Sequence, residues 1–368
     1  MNYEYEIPLA VYLLRLLPEY RDAPLLRTRD PAGLATCHTV VDVGGEYEPS
    51  RRRFDHHQRG FDAVFPGSRT KLSSAGLVYL HYGRRVISSV TGLTDARAGQ
   101  ADWDPRTADL ADKEADPLAL LWFKLYEDLV EAFDANDNGI PVFDPAELAR
   151  AGVERRFEDR GFTIASVVNR FNFDYGERKD GVELAPEQAQ AAEDARFARA
   201  SEFVGLQFLG THVDTHAPGL YPAELRDKHL SWLPARAIVS EAFAARDAHS
   251  PSGRILVLPH RDAGIPWADH LYELERATRT PPDRQVLYVL FPEGAAPDAK
   301  WRVRAVGVEG QSFVNRKDLP DAWKGVREEG LSKVSGIDGC VFVHASGFIG
   351  GNKTFEGALK MAHVAVDM

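Results

Sequence analysis

Apolar residues come in short blocks whose spacing separates helices from strands. Leu9–Leu17 (LAVYLLRLL) is interrupted by Arg15 alone and predicts a mostly buried helix, with Pro8 suited to its first turn and Pro18 stopping it. Cys37–Val43 (CHTVVDV) is short, β-branched and closed by Gly44-Gly45, the pattern of a buried strand. Ser73–Tyr82 predicts a helix with a serine cap, and Pro117–Phe133 a long helix with an apolar stripe. Asp95–Pro117 between them is acidic and polar and reads as a loop. Helix and strand alternate, so an α/β domain with a parallel sheet is expected over residues 1–208.

Arg178–Ala195 is charged enough to be a solvated helix or loop, and residues 209–228, rich in turn formers, read as a linker or insertion. A second pattern follows. Ile255–Leu258, Val286–Phe291, Trp301–Val308 and Cys340–His344 read as strands; Trp232–Ala245, Trp267–Thr278 and Thr354–Val366 read as helices. Their order predicts a smaller α+β domain over residues 229–368.

Composition narrows the function classes. The 368 residues are 44% hydrophobic and 27% charged, enough for two cores and unlike a fibrous or disordered chain. Acidic residues outnumber basic ones, 55 to 44, so the net charge of −11 argues against wrapping long nucleic acid; any such contact must be local. Two cysteines, Cys37 and Cys340, support neither a disulfide framework nor a cysteine-based zinc site, and a reducing compartment is expected. Met1–Pro8 (MNYEYEIP) reads as neither signal nor transit peptide, and no apolar run is long enough for a bilayer, so no membrane partner is expected.

The strongest chemistry lies at Asp55-His56-His57. It follows Asp42, which closes the expected strand VVDVGG, and precedes Asp134, Asp137 and Asn138 in DANDNG. Carboxylates and imidazoles together suit Mn²⁺, Zn²⁺ or Fe²⁺. Carboxyl ends of parallel strands are where ligand crevices open. Alone, a strand-end aspartate is ordinarily a turn or cap residue and a histidine pair a surface feature; the three stretches in order carry the metal reading. Lys71, Arg51–Arg53 and Arg59 flank these motifs and suit phosphates, although surface charge explains the arginine run equally well. Arg236 lines a cleft or caps a helix; both readings stay open. Ser73 and Ser74 read as helix caps. His212, Asp214 and His216 have ligand-like spacing, but they sit in the insertion, where a solvated loop is the better reading. Val343–Gly351 reads as a strand running into a glycine-rich turn with amides free for an anion. GFIGGNKT nearly fits a P-loop, but Asn352 replaces the second glycine and too little chain follows Thr354 for an NTPase sheet.

Taken together, LAVYLLRLLPEYRDA, TVVDVGGEYEPSRRRFDHHQRGF, TKLSSAGLVYLHYG, DANDNGI, SWLPARAIVSEA and GCVFVHASGFIGGNKTFEGAL resemble the Myg (melanocyte-proliferating-gene) family, within the DHH phosphoesterase superfamily named for Asp-His-His. The resemblance implies a DHH-type parallel-sheet domain followed by a smaller α+β DHH-associated domain. It implies a metal-dependent phosphodiesterase, a 3′–5′ RNA exonuclease of nucleus and mitochondrion, using Mn²⁺ foremost or Mg²⁺, with RNA or a short oligonucleotide as partner. Carried over residue by residue, Asp42 matches an acid bridging two ions and His56 a ligand of one. Asp137 matches a further ligand, with Asp134 as the nearest alternative and otherwise a supporting acid. His57 matches a residue facing the substrate phosphate, and Asp55 the acid supporting the histidines. His344, Ser346, Gly347, Gly350 and Gly351 match a glycine loop holding phosphate or sugar. In such sites two ions lower the pKa of a shared water and neutralise phosphate charge.

One departure matters. The family begins with His-x-Gly-x-Phe-His-x-Asp-Glu, where this chain reads MNYEYEIP, and Glu6 alone falls at an acid position. One bound ion and weak or no turnover are therefore expected; a truncated gene model or splice form would account for the difference. The rival readings are a non-catalytic nucleotide- or RNA-binding remnant and a hydrolase of small phosphoesters.

Overall fold

The computed structural model describes residues 6–100, 103–109, 111–114, 116–154, 163–173, 185–209, 224–262 and 264–368. His212, Asp214 and His216 lie outside the described residues, as does most of the 209–228 segment; Glu224–Asp227 forms one helical turn. The chain divides into two compact units, residues 1–229 and 230–368. Both mix helices with sheets, which gives an α/β class, but the sheets are mixed rather than wholly parallel.

In unit 1, α1 (Glu6–Arg15) buries Leu9, Ala10 and Leu13 against α2 (Ser74–Thr91) and α5 (Pro186–Leu209). The approach to α5 is close: a methyl on Gly205 would stand 2.1 Å from the Tyr12 ring. α3 (Pro117–Leu125) starts at Asp116, whose side chain accepts from the Ala119 amide, with proline in the first turn. One π-helical turn, Tyr126–Val130, leads into α4 (Glu131–Asp137), so the helix expected to end at Phe133 reaches Asp137 and carries one wide turn. Phe65 stacks on Tyr126 with ring centroids 3.8 Å apart and locks that turn to the core.

Three two-residue strands, β1 (Val40–Val41), β2 (Tyr47–Glu48) and β3 (Arg53–Phe54), pair in the order β1-β3-β2, β1 parallel and β2 antiparallel to β3. The strand expected over Cys37–Val43 is shorter for a local reason. Cys37 ends the helix Pro31–Thr36, and Asp42 (φ 67°), Gly44 (φ 96°) and Gly45 (φ 67°) turn left-handed, a conformation strands do not use.

Unit 2 is built on a five-stranded sheet of β4 (Ile255–Val257), β5 (Tyr288–Pro292), β6 (Trp301–Ala305), β7 (Cys340–Val343) and β8 (Ile349–Asn352), in the order β4-β5-β6-β8-β7. Only the β4–β5 pair is parallel. One face packs Leu290, Val303 and Val343 against Leu331 of α8 (Glu328–Ser335) and Met361 and Ala362 of α9 (Phe355–Asp367). The other packs Leu256 and Val289 against Val239 and Phe243 of α6 (Leu233–Ala245) and Leu271 of α7 (Ala268–Ala277).

β8 corrects the expectation of a glycine turn: Gly350 and Gly351 pair in the strand with β6 and β7, and the turn is confined to residues 344–348. Both glycines allow close approach, since a methyl would stand 2.9 Å from Val343 Cγ2 at Gly350 and 2.8 Å from Arg302 Nη1 at Gly351. A strand antiparallel to both neighbours is not the frame of a P-loop. Among the described residues no helix is long and apolar enough to cross a membrane.

Candidate metal centre

The register of β1 on β3 brings the two main motifs together. Val41 pairs with Phe54, and the Asp42 amide donates to the Phe54 carbonyl at 3.0 Å, so Asp42 and the Asp55-His56 turn leave the sheet side by side. Asp137, from the last turn of α4, completes the cluster. His56 Nε2 lies 3.1 Å from Asp137 Oδ2 and 3.6 Å from Asp42 Oδ1. The three side chains are 6% (His56), 1% (Asp137) and 7% (Asp42) exposed.

Both ring nitrogens of His56 are shielded from water, and neither makes a hydrogen bond among the described residues. A buried imidazole ordinarily finds at least one partner. Ligand atoms each about 2.0–2.2 Å from one divalent ion lie roughly 3–3.6 Å from one another. The unmet Nε2 meets that requirement with each of its two carboxylate neighbours.

The sequence left open whether Asp134 or Asp137 is the acid at this point, and the structure places Asp137 beside His56. Asp134 is occupied elsewhere. Its Oδ1 accepts from the Ser73 amide (2.9 Å), Ser73 Oγ (2.7 Å) and the Gly76 amide (3.1 Å), and its Oδ2 accepts from the Tyr126 hydroxyl (2.8 Å). It thus caps α2 from another helix, the role expected of Ser73. Burial pushes the Asp134 carboxyl up to about 7 in spite of these donors. The cap fixes the first residue of α2, Ser74, whose Oγ donates to Asp42 Oδ1 at 2.9 Å. Ser74 and Tyr126 are the working residues that the sequence reading missed: neither has a spacing that announces its partner.

Asp55 points the other way. It accepts from the Gly45 amide (2.6 Å), the His57 amide (3.0 Å) and His57 Nδ1 (2.6 Å). Burial opposes its charge, but these donors outweigh burial and hold the carboxyl below the usual carboxylate range. His57 is 54% exposed along its side chain and its ring centroid is 4.2 Å from that of His56. Ligand-type atoms of Asp42, His56 and His57 all lie within 4.8 Å of one another.

Lys71 belongs to the same neighbourhood: its ammonium is 5.4 Å from the centre of the Phe61 ring, which is 6.3 Å from the His56 ring. Arg51 instead pairs with Glu46, and Arg53 donates to the carbonyls of Cys37 and Arg51. Glu6 is fully buried at the start of α1.

In unit 2 the His344–Phe348 turn closes on itself. Gly347 N donates to the His344 carbonyl (2.8 Å), His344 N to the Ile349 carbonyl (2.8 Å), and His344 Nδ1 faces Ser346 Oγ at 2.8 Å. Gly347 has φ 75°, and a methyl there would meet Lys324 Cε at 2.4 Å.

Comparison with known proteins bears on this geometry. The family model MYG1_exonuc, described as an uncharacterised protein family (UPF0160), matches residues 2–366. The chain is 40% identical to the MYG1 exonuclease of Homo sapiens over 364 residues, covering 97% of this chain and 82% of that protein. It is 37% identical to the MYG1 protein YER156C of Saccharomyces cerevisiae over 360 residues, 97% of this chain and 91% of that one. It is 38% identical to the MYG1 protein C694.04c of Schizosaccharomyces pombe over 361 residues, 98% and 93% respectively. No solved structure matches the chain at a significant level.

Proposed function

Since the chain belongs to the MYG1_exonuc family, we propose that it is a divalent-metal-dependent phosphodiesterase that shortens RNA from its 3′ end, with its reaction centre at Asp42, His56 and Asp137. One observation carries this reading: among the described residues the buried His56 Nε2 has no hydrogen-bond partner, yet it lies within 3.6 Å of two buried carboxylates. Those three side chains would hold the cation, Mn²⁺ or Mg²⁺. Bound there, it would supply a water of lowered pKa and neutralise charge on a phosphate.

The protein's own groups set the rest. Ser74 fixes the rotamer of Asp42, and the parallel register of β1 and β3 fixes its distance from His56. Asp55, kept ionised by two amides, holds His57 by Nδ1 and orients its ring. His57 is thereby positioned to meet the substrate phosphate. Lys71 adds a second cation for the phosphate, and the His344–Gly351 segment is the proposed hold on a neighbouring sugar or phosphate.

The test combines metal titration with cleavage. We expect one Mn²⁺ per chain by calorimetry and a weak single-nucleotide ladder from a 5′-labelled 20-mer RNA. Asp42→Asn, His56→Gln and Asp137→Asn should each lower both metal affinity and cleavage at least 100-fold. Mn²⁺ binding that ignores these substitutions overturns the site. Cleavage of dinucleotides alone would make the protein a small-phosphoester hydrolase. One ion with no cleavage would make it a binding remnant.

A further inference from the structure

We propose that unit 1 holds a site for a medium-chain acyl anion, a single alkyl chain ending in a carboxylate, in the cavity between α1, residues 23–43 and α5. The cavity has a volume of about 190 Å³. Val11 and Leu14 of α1, Leu34, Val41 and Phe197 of α5 wall it, so all three stretches contribute side chains. Leu34 and Val41 are only half-buried there, and Leu25 and Leu26, which also line it, are 43% and 57% exposed. Apolar side chains exposed singly are ordinary. These converge on one hollow, and an occupant takes them out of water together. Asp42 forms part of the same wall, whereas His56 and Asp137 do not, so the site adjoins the metal centre without sharing its other two ligands.

The polar groups around the cavity decide the class of ligand. Thr39 Oγ1 already meets the Tyr20 hydroxyl and His38 Nδ1, both at 2.9 Å. Thr28 Oγ1 accepts from the Asp30 amide at 3.1 Å, and Cys37 Sγ donates to the Gly33 carbonyl at 3.5 Å. Arg27 is held by Glu193 and Asp194 at 2.8 and 3.1 Å. A nucleobase or sugar entering here would leave its own donors and acceptors unanswered and bear their desolvation cost in full. An alkyl chain asks for no partner. The volume admits one such chain and is too small for a helix, which is about 10 Å across. Two cations remain. Arg15, in the last turn of α1, and Arg29 both line the cavity, are exposed and pair with no carboxylate among the described residues. They put positive charge at the open side of an apolar hollow, in a chain whose net charge is −11. The head of the ligand is therefore an anion, and a carboxylate matches the guanidinium fork.

The experiment titrates decanoate into the full chain by calorimetry, in EDTA and below the concentration at which decanoate forms micelles. Metal and RNA are absent, so failure of the proposed hydrolysis leaves this result untouched. We expect saturable binding of one decanoate per chain. Octanoate, shorter by two methylenes, should bind about fifteenfold more weakly. Decanol, which keeps the chain and lacks the charge, should bind about tenfold more weakly, as should decanoate to the double variant Arg15→Glu, Arg29→Glu. Leu34→Trp, which fills the cavity from a half-buried wall, should abolish binding, and His56→Gln should bind as the parent does. Decanol is tested on the parent, so the need for charge is decided even where the double variant does not fold. Absence of saturable binding, or several decanoates per chain, overturns the proposal. Equal affinity for decanol and decanoate, loss of binding in His56→Gln, or competition by adenosine monophosphate equal to that by decanoate overturns it as well.

Discussion

Asp42 shows how much a single residue is asked to do. It leaves β1 with φ 67°, a conformation aspartate tolerates better than most side chains, and its carboxylate is aimed by a serine from another element. The more demanding position is Gly76. A methyl there would stand 2.3 Å from Asp134 Oδ2 and 2.4 Å from Oδ1, so either the cap or the helix must move. Gly76→Ala should cost about 2–3 kcal/mol in urea unfolding and should weaken Mn²⁺ binding, because Ser74 shifts with the helix start. Ser74→Ala should keep the unfolding midpoint and lose roughly tenfold in metal affinity. A normal midpoint in Gly76→Ala would show that the cap is not tight. Asp-His-His and its aspartates were legible in the sequence because these side chains suit few other roles in combination. Ser74 was not, since a serine before a helix looks the same whether it caps its own helix or aims a distant acid.

At the scale of elements, periodicity worked where one face of an element is buried. α6, α7 and α9 begin within one residue of their expected starts, as an amphipathic stripe requires. It failed where a residue type is set by a neighbour. The glycines of β8 mimic a turn in sequence and are there because Val343 and Arg302 press on the strand. The π turn at Tyr126–Val130 was also invisible, because one extra residue leaves the apolar stripe unbroken. The wide turn lies between Tyr126 and the pair Asp134 and Asp137 and so offsets them around the helix. Deleting Glu127 should restore a regular helix and rotate both aspartates by about 100° relative to Tyr126. Retained helical circular dichroism with loss of Mn²⁺ binding is the expected result; retained Mn²⁺ affinity would show that the wide turn is incidental.

For the molecule as a whole, stability is tied to pH through unit 1. Burial lowers the pKa of His81 from 6.5 to about 4, while its Nε2 sits 2.8 Å from the Tyr47 hydroxyl. A histidine that stays neutral when folded and protonates when unfolded leaves stability intact above pH 6.5 and removes it as pH falls toward 4. Urea unfolding at pH 4.5 should show a loss of about 2 kcal/mol relative to pH 7 that His81→Gln does not share. An equal loss in both proteins would place the effect elsewhere. The close seat of Tyr12 on Gly205 also bears on how unit 1 assembles: α1 and α5 lie at opposite ends of its sequence, so this pair can close only after the chain between them has collapsed.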